Sequence, residues 1–187
     1  MSRGTVHNKI KSISKLNLGE SAMSSVVGYI KLGNIRGNSL DDKHKEWIEA
    51  LSISQSVNRN INPTSKPTEA LTKSQVHMGA IDINKNADES SPELVQAVAK
   101  GDTFKEVTID LVRVGDSGNE VFYQWILSDA YLSNYGVHGS AGGGIETTEN
   151  ISICYSTIKW SYKKKDHTGK ISGSVDAGWD INKNKTI

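Results

Sequence analysis

The sequence predicts a mainly β fold, with two antiparallel sheets forming a β-barrel or sandwich and one short α-helix packed on the side. Three observations carry that expectation. Apolar residues recur with a period of two from Val26 onward, as half-buried strands require. Glycine, aspartate, serine and asparagine cluster between the two longest alternating runs. One segment alone carries both a helix start and a helix stop.

The first strand is expected at Val26–Leu32 (VVGYIKL). Trp47, Glu49, Leu51, Ile53, Gln55 and Val57 then alternate, with Ser52, Ser54 and Ser56 between the later ones. That spacing predicts one strand with an apolar face and a hydroxyl face. A third strand is expected over 76–83, where Gly79 in the middle marks a bulge or a close approach. The helix follows. Ser91 can cap it, Pro92 suits its first turn and Glu93 its positive end; Leu94, Val95 and Val98 form a short apolar face, Lys100 suits the negative end and Gly101 stops it. Runs 104–114 and 120–132 flank Gly115-Asp116-Ser117-Gly118-Asn119, which predicts a hairpin. A last strand is expected over 150–162, with Ile151 and Ile153 on one face and Cys154, Ile158, Trp160 and Tyr162 on the other.

At 187 residues the chain is expected to form one domain over 26–187, a C-terminal tail included, preceded by a disordered extension over 1–25. An alternative expectation is that translation starts at Met23, with Gly19-Glu20 encoded by a ribosome-binding sequence. The extension carries Arg3, Lys9, Lys11 and Lys15 against Glu20 and lacks the apolar stretch of a secretory signal peptide. Hydrophobic residues make up 36% and charged residues 23%, with 17 glycines against 3 prolines, as in an ordinary water-soluble chain rich in turns. The net charge of +1 provides no field to recruit nucleic acid or an anionic membrane. No run of about 18 apolar residues is present to span a bilayer. Cys154 is the single cysteine, so the fold must hold without an internal disulfide, which suits assembly in a reducing cytoplasm.

Candidate chemistry is sparse. His7, His44, His77, His138 and His167 are scattered far beyond the spacing of metal ligands. Asp41 and Asp42, near His44 and Glu46, form the best acidic cluster, but Lys43 and Lys45 between them predict a solvated charged loop. Gly142, Gly143 and Gly144 lack the Lys-Ser/Thr ending of a phosphate cradle. Ser140 and His138 are close in sequence without a nucleophile elbow around them. Cys154 inside an alternating strand is expected to be a buried, inert thiol, and Lys163 to Lys165 a solvated strand end. The residues thus predict no catalytic group, no metal and no cofactor. Three long loops remain, over 36–45, 61–73 and 135–148, and contact between subunits is a common reason for such loops.

Several ordered features resemble one family. Tyr29-Ile30-Lys31-Leu32-Gly33-Asn34-Ile35-Arg36-Gly37 is followed by Asp42-Lys43-His44-Lys45-Glu46-Trp47-Ile48-Glu49. Then come Ser91-Pro92-Glu93-Leu94 with Gly101, Phe104-Lys105-Glu106-Val107, Glu149-Asn150-Ile151-Ser152 and Ile158-Lys159-Trp160-Ser161-Tyr162. The tail adds Gly169-Lys170, Gly178-Trp179-Asp180 and Asn182. Together, in this order and spacing, they resemble the haemolysin-coregulated protein (Hcp) family, the tube proteins of the bacterial type VI secretion system. The resemblance implies a structural subunit, not an enzyme. Homohexameric rings would stack into a tube inside a contractile sheath, meet spike or tip and baseplate proteins, and carry small effector proteins in the lumen. It also implies cytoplasmic assembly followed by release outside the cell or into a target cell, without a cleavable signal peptide, nucleic-acid binding or stable membrane insertion.

Within that frame the charged loop Asp41, Asp42, Lys43, His44 and Lys45 is assigned to ring stacking, where complementary charge permits reversible contact. Ring-interface contacts are assigned to Pro63, Lys66, Pro67 and Lys73 in one loop and to Gly142, Gly143, Gly144 and Glu146 in another. The competing expectation from another class is a monomeric or dimeric β-barrel or jelly-roll ligand-binding module. A toxin domain is disfavoured because the chain beyond Tyr162 is too short for an independent catalytic fold.

Overall fold

The structure is a computed structural model that describes residues 26–59, 75–114, 118–139, 147–166 and 170–187. The 1–25 extension and the whole 61–73 loop lie outside these residues. In chain order the elements are β1 (Val26–Leu32), β2 (Ile48–Ala50), β3 (Ser52–Arg59), β4 (Val76–Asn86), α1 (Ser91–Lys100), β5 (Thr103–Arg113), β6 (Glu120–His138), β7 (Thr148–Cys154), β8 (Thr157–Lys165), β9 (Ile171–Asp180) and β10 (Lys185–Thr186). The mainly β class with one helix, read from periodicity, is the one the structure has.

The strands share a single hydrogen-bonded antiparallel sheet. Its main path runs β10-β9-β8-β6-β5-β1-β2, and a second arm, β3-β4-β7, joins it at β6. The nineteen-residue β6 is the seam. Residues 123–128 pair with β8, and 131–138 pair with β7. Between the two ladders sits Asp129, with φ at 47°. No ladder joins β2 to β3; the chain passes through Leu51, whose amide donates to the Asn84 carbonyl at 2.8 Å. The sheet is therefore not closed by hydrogen bonds, and its two arms share one core in the manner of a sandwich.

Period two determines which side chains fill that core. Ile30, Ile109, Leu127 and Ile158 come from one arm and Ile81, Ile83, Ile151 and Ile153 from the other, none more than 2% exposed. Burying each such side chain contributes about 1.5–3 kcal/mol. Helix α1 lies on β6 and buries Leu94 and Ala97. Gly101 ends it in the left-handed region at φ 72°, donating its N–H to the Ala97 and Val98 carbonyls. At the other end Ser90, not Ser91, occupies the cap position, and its hydroxyl bonds Asp88 instead of the helix.

Three expectations change. The run 47–57 is not one strand: Ile48 and Ala50 face the core, the break at Leu51 swaps the alternation, and Leu51 and Val57 end up 60% and 53% exposed. The segment 150–162 is likewise two strands, β7 and β8. Its apolar residues seem to occupy both faces only because the break at Tyr155 and Ser156, where the Ser156 amide donates to Ser128 at 3.0 Å, resets the parity. Finally, the tail contains β9, which carries no period-two signature because 171–177 are exposed on both faces.

Candidate functional site

The loop between β1 and β2 is built as a tight hairpin of backbone bonds. Gly37 donates to the Glu46 carbonyl at 2.9 Å, Ser39 to Trp47 at 3.2 Å and Glu46 to Ser39 at 2.9 Å. A Cβ on Gly37 would stand 2.4 Å from the Trp47 carbonyl oxygen, so only glycine permits this approach.

Inside the loop, His44 is 2% exposed. Its ring stacks on Tyr29 at 4.4 Å and meets Trp47 edge-on at 4.9 Å. Nδ1 lies 2.7 Å from an Asp41 oxygen and Nε2 lies 3.0 Å from Asp110 on β5. Asp41 also accepts from the amides of Lys43 at 3.0 Å and His44 at 3.1 Å, and from the Asn119 side chain at 2.6 Å. Asp110 accepts from Gln124 on β6 at 2.7 Å. Burial pushes the Asp41 carboxyl up, but the hydrogen bonds from Asn119, His44 and the Lys43 amide outweigh it and hold it at about 2. Burial raises the Tyr29 hydroxyl, and the charges of Asp41 and Glu49 add to the effect.

The residues assigned to stacking thus divide. Asp41 and His44 turn inward and hold the loop to β1 and β5, contrary to the expectation of a wholly solvated charged loop. Asp42, Lys43 and Lys45 face solvent, and Leu40 beside them is 90% exposed. Lys43 also donates to the Asn119 carbonyl at 3.2 Å. Pro63, Lys66, Pro67, Lys73, Gly142, Gly143, Gly144 and Glu146 all lie outside the described residues.

A second buried network anchors the helix start. The Lys85 ammonium, with no exposed side-chain surface, donates to Glu149 and Asp88 at 2.8 Å each and to the Asn86 carbonyl at 2.7 Å. The Tyr135 hydroxyl donates to the other Glu149 oxygen at 2.8 Å; burial and this carboxylate push it up to about 12. The loop expected over 135–148 is accordingly shorter, because 135–138 belong to β6 and Thr148 opens β7.

Sequence reasoning missed Asp110, Lys85 and Glu149. Asp110 had a faint signal, a carboxylate between Ile109 and Leu111 in an apolar run; Lys85 looked like any polar strand end. Cys154 is half-buried rather than buried, beside Tyr131. Among the described residues no group of three or more His, Cys, Asp or Glu could hold a metal ion. Among them, too, no helix is long and apolar enough to cross a membrane. His44 with Asp41 and Asp110, and Lys85 with Asp88 and Glu149, are bound to one another, an arrangement that rigidifies the loop and the helix start.

A sequence profile of the family "Type VI secretion system effector, Hcp" matches residues 29–162, from the Tyr29 that stacks on His44 to the end of the β8 contact with β6. The chain belongs to this family. Protein Hcp1 of Pseudomonas aeruginosa is 26% identical over 157 residues, covering 83% of this chain and 95% of that protein. Among solved structures, a type six secretion system protein superposes with a TM-score of 0.79 at 28% identity, covering 87% of this chain and all of the other. Hcp1 from Salmonella typhimurium gives a TM-score of 0.70 at 25% identity, over 88% of this chain and all of its own. The Hcp match spans both arms of the sheet and the helix from Tyr29 to Tyr162, ahead of β9 and β10.

Proposed function

We propose that this Hcp-family chain is the tube subunit of a type VI secretion system. It assembles into homohexameric rings that stack, with small effector proteins carried in the lumen and with sheath, spike or tip and baseplate proteins as partners. Assembly takes place in the cytoplasm, and export follows without a cleavable signal peptide. The work is associative and mechanical, so the chain acts through its surfaces and not as an enzyme.

The observation that carries this proposal is the family match laid over a sheet with unpaired ends. β2 and β9 with β10 stand at opposite ends of the strand order, and one chain that offers two different ends can join heterologously and close into a ring. Covering strand edges also removes the aggregation hazard they pose. Light scattering after size exclusion, at two concentrations, tests the proposal. A mass six times the 20.4 kDa chain, with ring-shaped particles in negative stain, is expected. A monomer that persists at high concentration and is stabilised by a small ligand overturns it and returns the chain to the ligand-binding alternative.

A further inference from the structure

The ladder of β8 with β9 is longer than the ladder of β8 with β6. β8 pairs with β6 only as far as Tyr162, whereas its ladder with β9 continues to the pair Lys165 and Ile171. Beyond Tyr162 the hydrogen-bonded ladder with β6 stops, although Lys165 is ion-paired with Glu120 at the start of β6. β9 is exposed on both faces over 171–177, and β10 covers its outer edge only at Trp179 and Asp180. A two-stranded ribbon is marginally stable in water on its own.

The ribbon is also apolar where it should not be. Val175 stands directly opposite Tyr162, and the two are 49% and 45% exposed. Tyr162 leans on Tyr123 at 6.3 Å, so one strip of the ribbon continues the aromatic side of the core into solvent. Ile171, at the tip, is 51% exposed. Strands that must stay unpaired protect their edges with lysine, proline or a covering loop. The β9 sequence ISGSVDAGWD contains neither lysine nor proline.

We propose that this ribbon is a docking arm for a second copy of the chain. The outer edge of β9 over 171–177 pairs with the neighbour, and Tyr162 and Val175 are buried against it. The occupant is a second copy because the chain itself presents the complementary end. β2 closes the opposite end of the strand order, the exposed Leu51 follows it directly, and its Glu49 is exposed. Lys163 and Lys164 of the ribbon make no ion pair among the described residues, so a neighbour with an acidic group at its edge complements them. This inference rests on the proposed self-assembly and names the surface that performs it.

Hydrogen exchange of the wild-type protein, assembled and after dilution to monomer, tests it together with light scattering on Val175→Asp. In the assembly, amides of 171–177 are expected to exchange at least about tenfold more slowly than in the monomer. Val175→Asp is expected to keep the wild-type circular dichroism while remaining at 20.4 kDa where the wild type is assembled. An assembled wild type whose 171–177 amides exchange as fast as in the monomer overturns the arm and leaves the tube proposal standing. So does a Val175→Asp protein that assembles like the wild type. A wild type that stays at 20.4 kDa at every concentration overturns both. Should Val175→Asp fail to fold, the exchange comparison on the wild type decides alone.

Discussion

His44 shows how a residue that looks like chemistry can be structure. Its ring nitrogens lie within hydrogen-bond distance of Asp41 on one side and Asp110 on the other, and the Tyr29 and Trp47 rings pack against it. Removing the ring leaves two carboxylates facing an empty space, and breaking a buried pair in this way costs about 3–5 kcal/mol. His44→Ala is therefore expected to lower the urea-unfolding free energy by an amount in that range, and a loss below 1 kcal/mol, set against the same pair value, would show the network to be slack. Asp41 adds a pH dependence. Its folded value lies at about 2 against an ordinary 3.8, so its contribution is fully present above the ordinary value and disappears as pH falls through the folded one. Between those two values the wild type should lose thermal stability more steeply than Asp41→Asn, as melting curves across the range will show. The nearness of Asp41 and His44, three positions apart, was legible in the sequence, but Lys43 and Lys45 pointed to a solvated loop and not to their inward pairing. Asp110 was not, because the fold brings it to His44 from 66 positions away.

At the scale of elements, legibility followed burial on one face. β5 and β6 announced themselves because Val107, Ile109 and Leu111, and then Trp125 and Leu127, alternate toward the core before the register slips, and α1 because Pro92, Leu94 and the terminal Gly101 agree, although Ser90 takes the cap position and Val95 is exposed. Gly79 also carried true information: a Cβ there would stand 2.5 Å from the Ser56 hydroxyl, where the β3 register slips between Gln55 and Val57. Alternation misled where the chain changes partner within two residues, at Leu51 and at Tyr155-Ser156, because a one-residue break inverts every later side chain. β9 was silent because nothing in the isolated subunit buries either face. Leu94 measures what the helix contributes. It is wholly buried, and Leu94→Ala is expected to cost about 2–5 kcal/mol in chemical denaturation. A cost near zero would mean that α1 merely rests on β6.

For the whole molecule, two kinds of contact are set apart by their chemistry. The ends of the sheet offer backbone edges and apolar side chains, Leu51 at one end, Tyr162 and Val175 at the other. The β1–β2 loop offers Asp42, Lys43 and Lys45 on a frame held rigid by the His44 network. If the sheet ends form rings and the loop stacks them, salt separates the two. The screening length falls from about 10 Å at 0.1 M to about 3 Å at 1 M, which weakens exposed charge pairs and leaves apolar burial intact or strengthened. Sedimentation velocity is expected to show stacks giving way to single rings as sodium chloride rises across that range, with the ring mass unchanged. Lys45→Glu should place wild-type behaviour at high salt within reach of low salt. Stacks that survive the high-salt condition would instead assign the contact to Leu40, the apolar side chain that stands 90% exposed in the middle of the charged loop, and would make Leu40→Asp the variant that dissolves them.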